Sequence, residues 1–514
     1  IPALEGAVRL APHHPRAWFL LAKYSIVSGN ARRAIDDYLV HALVVQNQLG
    51  SDEGRADVLN AFGVAFRNLG DLGRAAEYYE QAAAIRKRIG NERGYATTLR
   101  NLASIDSVRG EHAAAERKLG EALAILERLG DGAGIADLQD EFGVLAEERG
   151  DYEEALSRYQ QALRVRRDLG NDVAFATSFA NVGYACYLLG RYDDALVYWS
   201  QGLDLARKSG DPAGVALATQ SLGLLELARG NWDRAVKSFL EALNKSRELD
   251  MKQATASSLG HLGRLAQYQG RPAAALASFA EALAVLREID DRRGLAEFTL
   301  AQAEVEIEIG MEKAAGQHLQ AAAELLSAEK NREQQAELER LRGEHHLLRG
   351  ERAAAEAALR RALADAEESH SVVQLLDVRL SERPALAELE RLRGQAEALG
   401  HARLRLRAAE AVARAALAAK DTERARQAAA AGLERAEACG GYSGAWRLHL
   451  LLAQAHERAG RRAEAEAERE RARAEIARVS RELAPGQRQS FHQLAEVREL
   501  ADRIEVGRTA GRKD

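Results

Sequence analysis

His345 and His346 are the nearest approach to a metal-binding pair in this sequence, and their spacing argues against one. Adjacent residues on a helix point about 100° apart, so the two rings cannot easily reach one ion. His13 and His14 run into Pro15, which reads as a loop. Cys186 lies in an apolar helical stretch and reads as a buried, inert thiol. Cys439 precedes Gly440 and Gly441, with no histidine placed beside it by any motif. No HExxH motif, no phosphate-cradling glycine loop and no glycine-rich run after a strand occurs. Acidic pairs such as Glu147 and Glu148 read as solvated faces, because no partner group makes them an acid–base pair. The expectation is therefore no catalytic residue, no cofactor and no metal: a binding protein, not an enzyme.

The composition points the same way. The chain has 514 residues, more than a single core supports, so several domains or a repeat array are expected. Only 7 prolines and 5% aromatics accompany an excess of Ala, Leu, Glu and Arg, which favours helix throughout. A net charge of −5 lacks the basic excess that nucleic-acid binding requires. No stretch approaches 18 consecutive apolar residues, so no membrane insertion is expected. Two distant cysteines imply a reducing compartment, taken here as cytoplasmic. The preference for Arg over Lys suits a bacterial genome. The start at Ile1 suggests a piece of something longer.

The elements that carry these residues repeat. Gly70, Gly110, Gly150, Gly190, Gly230, Gly270, Gly310 and Gly350 recur every 40 residues. Each is followed five residues on by alanine, from Ala75 to Ala355, and preceded by seven by Gly or Ala, from Gly63 to Gly343. In one unit a first helix reaches Arg149, and Gly150 ends it in the left-handed region. Asp151 caps a second helix running from Tyr152 to Leu169, which Gly170 closes. The same device predicts Asn231 as a cap after Gly230. Gly143 and Ala155 are expected where the paired helices cross, too close for large side chains.

These residues, with Tyr152, Tyr159 and the run RGDYEEALSRYQQAL from Arg149 to Leu163, resemble the tetratricopeptide repeat. The match is to the 40-residue variety of kinesin light chains and spindle-orientation G-protein-signalling modulators. Similar arrays end large bacterial kinase and STAND ATPase regulators. The resemblance implies an all-α, right-handed superhelical solenoid of stacked antiparallel helix pairs, about eleven in number. Residues 1–50 read as a divergent first unit and 51–369 as eight 40-residue units. Residues 370–400 are an irregular linker unit in which Pro384 starts a helix. Residues 401–480 hold two further units, and 481–514 a capping helix and a disordered tail.

The resemblance also implies a concave groove lined by the first helices. Carried over unit by unit, its positions are Asn60 and Arg67, then Arg100 and Asn101, then Asp137, Asp140, Glu147 and Glu148. Asn181, Tyr184 and Tyr187 follow, then Gln220 and Leu224, then Arg264 and Tyr268. The Lys and Asn clamp by which chaperone-tail binders of this family hold a C-terminal carboxylate is absent: Asn60, Val64, Arg100, Ser104, Asp140 and Val144 stand there. Four carboxylates near Glu147 and an apolar patch at Tyr184, Tyr187, Leu224 and Leu227 suggest a protein or peptide partner with basic and apolar residues. Open solenoid ends would permit self-association. Two roles fit: a scaffold holding a partner segment in the groove, or the sensor arm of a larger bacterial signalling ATPase, kinase or transcription regulator.

Overall fold

The computed structural model describes residues 2–10, 14–27, 30–170, 172–327, 331–498 and 500; the expected tail, 501–514, lies outside them. Among the described residues there are 27 α-helices, one π-helical stretch and no strand. None of these helices is long and apolar enough to cross a membrane.

From Asp52 to Glu368 the chain forms antiparallel pairs, such as Gly132–Glu148 with Tyr152–Leu169. Capping explains the boundaries. Ser51, Asp71, Asn91, Asp131, Asp151, Asp211, Asp291 and Asn331 each accept a hydrogen bond from a free amide of the first turn. Asn231 departs from this pattern: its side chain donates to Glu226 instead, and no side-chain cap forms.

In five of the pairs the crossing is made by a ring in a glycine notch, whereas Gly343 meets Leu359. A Cβ on Gly143 would stand 2.4 Å from Cε1 of Tyr159, and one on Gly223 would stand 2.7 Å from Cε1 of Phe239. Gly63 faces Tyr79, Gly183 faces Trp199 and Gly263 faces Phe279 in the same way. Where the notch is Ala103 or Ala303, the residue sixteen positions on is Leu119 or Leu319. The small residue at the crossing is thus matched to a specific bulky partner, a correction to the expected Gly143–Ala155 approach.

The first unit is irregular. Its helices span Pro2–Leu10 and Pro15–Val27, and its last helix contains the π-helical stretch Ala34–Leu39. The unit after residue 369 is shortened to Val372–Ser381 and Leu386–Leu399. Arg383 takes a positive φ of 53°, and Pro384 precedes the N-cap Ala385 rather than opening the helix as predicted. Helices Ala402–Ala418, Thr422–Ala438, Ala445–Arg458 and Arg462–Glu482 complete the array.

The superhelix then folds onto itself. The Tyr152 hydroxyl donates to Glu333 at 2.8 Å and lies 3.2 Å from the carbonyl of Ser369, 217 residues away. The Ser443 amide donates to the Tyr268 carbonyl at 2.9 Å, and Arg478 donates to the Gly270 carbonyl 208 residues back. One turn therefore takes between five and six 40-residue units. The interface is apolar as well: Leu227, Trp232 and Tyr268 share a core with Leu404, Leu406, Cys439 and Tyr442. The closing segment, including Phe491 and Val497, packs back on Ile309 and Trp446.

Candidate binding site inside the superhelix

The first helices carry the predicted groove positions. One inward position recurs every 40 residues as Val64, Ser104, Val144, Tyr184, Leu224, Arg264, Glu304 and Glu344. Val144 and Tyr184 each keep 39% of their surface open. Leu224 is half-buried against the core, and Glu304 is buried. The stripe therefore begins as apolar, accessible surface and ends as closed, charged surface.

Most of the predicted groove residues hydrogen-bond to the neighbouring unit. Asn101 donates to Asn60 at 3.0 Å, and Arg67 to Ser104 at 3.4 Å. Asn181 donates to Asp140 at 3.3 Å, and Ser258 to Gln220 at 3.3 Å. The predicted bare acidic patch is not bare. Asp137 pairs with Arg100 at 3.0 Å and with Arg166 at 2.8 Å, and Arg166 also holds Asp140 at 2.5 Å. Arg166 arrives from the second helix of the pair, outside the groove register, so groove positions alone did not reveal it. Glu148 accepts from Ser107. Glu147 is only partly compensated: burial pushes its carboxyl up to about 8, against an opposing hydrogen bond from Tyr159 and the charge of Arg293.

The apolar anchors also divide. Tyr184 and Tyr187 stack with ring centroids 6.4 Å apart, and Tyr187 is braced by Tyr192 and Trp199 at 5.7 and 5.8 Å. Leu227 and Tyr268 are not open groove positions; the next superhelical turn buries them, with the Arg403 guanidinium 5.3 Å above the Tyr268 ring. Arg264 lies 4.0 Å from Glu304.

Curvature brings distant units together. Burial raises the Tyr184 phenol, although its surface is 39% open. Glu147, Glu333, Arg293 and Glu297 all act on it electrostatically. The last three were missed by the groove assignment. Glu297 holds the inward register of Asp57 and Asp137, so continuing the 40-residue count would have reached it. Its position opposite Tyr184 depends on the radius of the superhelix.

Further along, the interior is filled by ions. Arg340, fully buried, contacts Glu304 at 2.7 Å, Glu337 at 2.6 Å and Glu344 at 2.8 Å. Arg403 and Arg407 reach Asp377 from the neighbouring helix Ala402–Ala418. Burial alone would raise the Glu304 and Asp377 carboxyls, but Arg403, Arg340 and their neighbours more than offset it and hold both below the usual range.

Little here is arranged for catalysis. Burial raises the Cys186 thiol to about 11. His345 lies 2.9 Å from the Glu312 carbonyl, and His346 pairs with Glu351 at 2.7 Å. No group of three or more His, Cys, Asp or Glu suited to a metal occurs among the described residues.

The family model described as "Tetratricopeptide repeat" matches residues 94–168, 174–248 and 214–288, and a second of the same description matches 55–89. No curated protein matches the chain. Among solved structures it is similar to the Rap conjugation gene regulator of plasmid pLS20 in complex with the Phr* peptide. That match has 15% identity and a TM-score of 0.48, covering 70% of this chain and 98% of that one. A Rap protein complexed with Competence and Sporulation Factor matches at 17% identity and a TM-score of 0.47, covering 61% and 88%. A STAND protein with a tetratricopeptide repeat sensor from Pyrococcus horikoshii matches at 14% identity and a TM-score of 0.42, covering 74% and 55%.

Proposed function

The chain is a tetratricopeptide-repeat protein, matched between residues 55 and 288, and from that premise we propose that it is a regulatory scaffold that binds an extended protein segment inside its superhelix. The observation that carries this reading is Tyr184, 39% exposed on the inner wall and stacked on Tyr187. Tyr187, braced by Trp199, presents the pair with few rotamers to lose on binding. Val144 and Leu224 extend the apolar surface one unit to either side. A partner's apolar side chain seated there would leave water, at about 25 cal/mol per Å² covered. The set offers surface and no paired nucleophile and base, so the reading is of recognition rather than catalysis.

The test compares wild type with Tyr184→Ala, each immobilised and used to capture partners from cells of the source organism. Identical melting curves would serve as the folding control. A partner held by wild type and released by the folded variant is the expected outcome. Equal capture by both would overturn the interior site and direct attention to the convex surface.

A further inference from the structure

The last two units carry groove positions of a different chemistry, and the chain itself fills them. Lys420 and Gly460 end the first helices of these units with positive φ, as Gly190 and Gly150 do earlier. Counting back from those ends, Arg414 takes the register of Tyr184, Arg447 that of Asp137 and Leu450 that of Asp140. Glu496, from the closing segment, enters between the two arginines. Arg414 Nη1 donates to its Oε1 at 2.8 Å, and Arg447 Nε donates to its Oε2 at 3.3 Å. Arg414 also donates to Glu410 at 3.0 Å, whereas Glu496 is the one ion-pair partner of Arg447 among the described residues. Burial would raise the Glu496 carboxyl, but Arg447 and Arg414 outweigh it and hold it below the usual range. Val497 and Leu500 are buried beside it, in the core that includes Ile309 and Trp446. The space left among Arg414, Arg447, Leu450, Gln454, Glu496 and Leu500 is about 60 Å³, room for ordered water rather than for a peptide segment.

Two features make this occupant exchangeable. The Glu496 side chain keeps 41% of its surface open and Arg414 keeps 37%, so the ion pair is reached from solvent and contributes little by itself. The helix Pro485–Gln493 ends at Leu494, whose φ of −56° and ψ of 132° interrupt it, so the segment beyond can leave without unwinding that helix. An emptied site is not neutral: Arg447, only 22% exposed, loses its ion pair and calls for another carboxylate. We propose that Arg414 and Arg447 form a carboxylate subsite at this end of the groove, that Glu496 is its internal occupant, and that an acidic partner segment competes for it. The occupant specifies the partner: a glutamate followed one and four residues on by apolar side chains, as Val497 and Leu500 follow Glu496. Exchange also withdraws Val497 and Leu500 from the core they share with Ile309, so partner binding loosens the contact between turns. Tyr184 and its neighbours do not line this site, which stands independently of the interior-binding reading.

The test uses the full chain as wild type, as Glu496→Gln, and as Glu496→Gln combined with Arg447→Gln. The probe is a fluorescein-labelled peptide with the sequence of residues 486–500, read by fluorescence anisotropy. A second peptide carries glutamine in place of the glutamate at 496. Glu496→Gln keeps the shape of the internal segment and removes its charge. That variant is expected to bind the first peptide about tenfold more tightly than wild type does, because its own segment no longer competes as well. It should also prefer the first peptide to the second by about tenfold, and adding Arg447→Gln should abolish that preference. The preference compares two peptides on one protein, so a partly unfolded variant cannot imitate it. Equal binding of the first peptide by wild type and Glu496→Gln would overturn the internal competition. Equal binding of the two peptides by Glu496→Gln, or a preference that survives Arg447→Gln, would overturn the carboxylate subsite. Binding of neither peptide by any of the three chains would overturn the whole proposal and leave the Tyr184 test untouched.

Discussion

At the residue scale, the 40-residue rhythm hides a size code. Gly63, Gly143, Gly183, Gly223 and Gly263 each accept an aromatic ring, Ala103 and Ala303 are matched with leucine, and Gly343 departs from the code by meeting Leu359. Gly223→Ala should cost about 1–3 kcal/mol by driving a methyl into Phe239. Adding Phe239→Leu, which copies the natural Ala103–Leu119 pairing, should return part of that loss. Urea melts of the two single variants and the double would give the coupling, and strict additivity would refute the code. Glu147 provides a second prediction at this scale. Its carboxyl is raised to about 8 in the folded chain, so the folded state binds a proton more tightly than the unfolded one. That contribution is fully present below the ordinary glutamate range and is lost as pH rises through 8. Glu147→Gln should therefore gain thermal stability relative to wild type between pH 6 and 9. A constant difference across that range would contradict the shift.

At the element scale, two kinds of glycine end the helices. Gly150 and Gly170 both take a positive φ, 75° and 65°, and both close a helix. Around Gly170 nothing lies within 4 Å of an added Cβ, whereas at Gly150 it would stand 2.3 Å from the Ser369 carbonyl. Gly170→Ala should cost only the left-handed backbone strain, about 1–2 kcal/mol. Gly150→Ala should cost more and also separate the turns, with loss of hydrogen-exchange protection near Ser369 as the readout. Equal effects of the two substitutions would mean that the turns are not in close contact in solution. The sequence made both glycines legible as helix ends. It could not distinguish them, since the difference lies in a neighbour more than 200 residues away.

At the scale of the whole molecule, a simple solenoid is stabilised only by nearest neighbours. This one also buries Trp232 and Tyr268 beneath helices that follow residue 400. Ending the chain at residue 400 should therefore strip exchange protection from Pro212–Arg229 and Trp232–Glu248, although neither is near the cut in sequence. Unchanged protection would reduce the molecule to a linear array. The ion cluster is the polar side of the same closure. Arg340→Ala would leave Glu304 and Asp377 buried with fewer partners, at an expected cost of about 3–5 kcal/mol. Denaturant titration should then show the segment after residue 370 melting first.

By itself the sequence determined the helices, their ends and the period, because capping, glycine placement and apolar spacing act over a few residues. The repeat positions of Tyr184 and Glu147 follow from that local count. The tertiary structure alone decided which inward residues stay available. Arg166 and Arg100 neutralise Asp137 and Asp140, and Arg403 covers Tyr268. The physical reason is accumulation. The small rotation between successive pairs adds up over between five and six units into a turn that meets the next, and no local pattern encodes that sum.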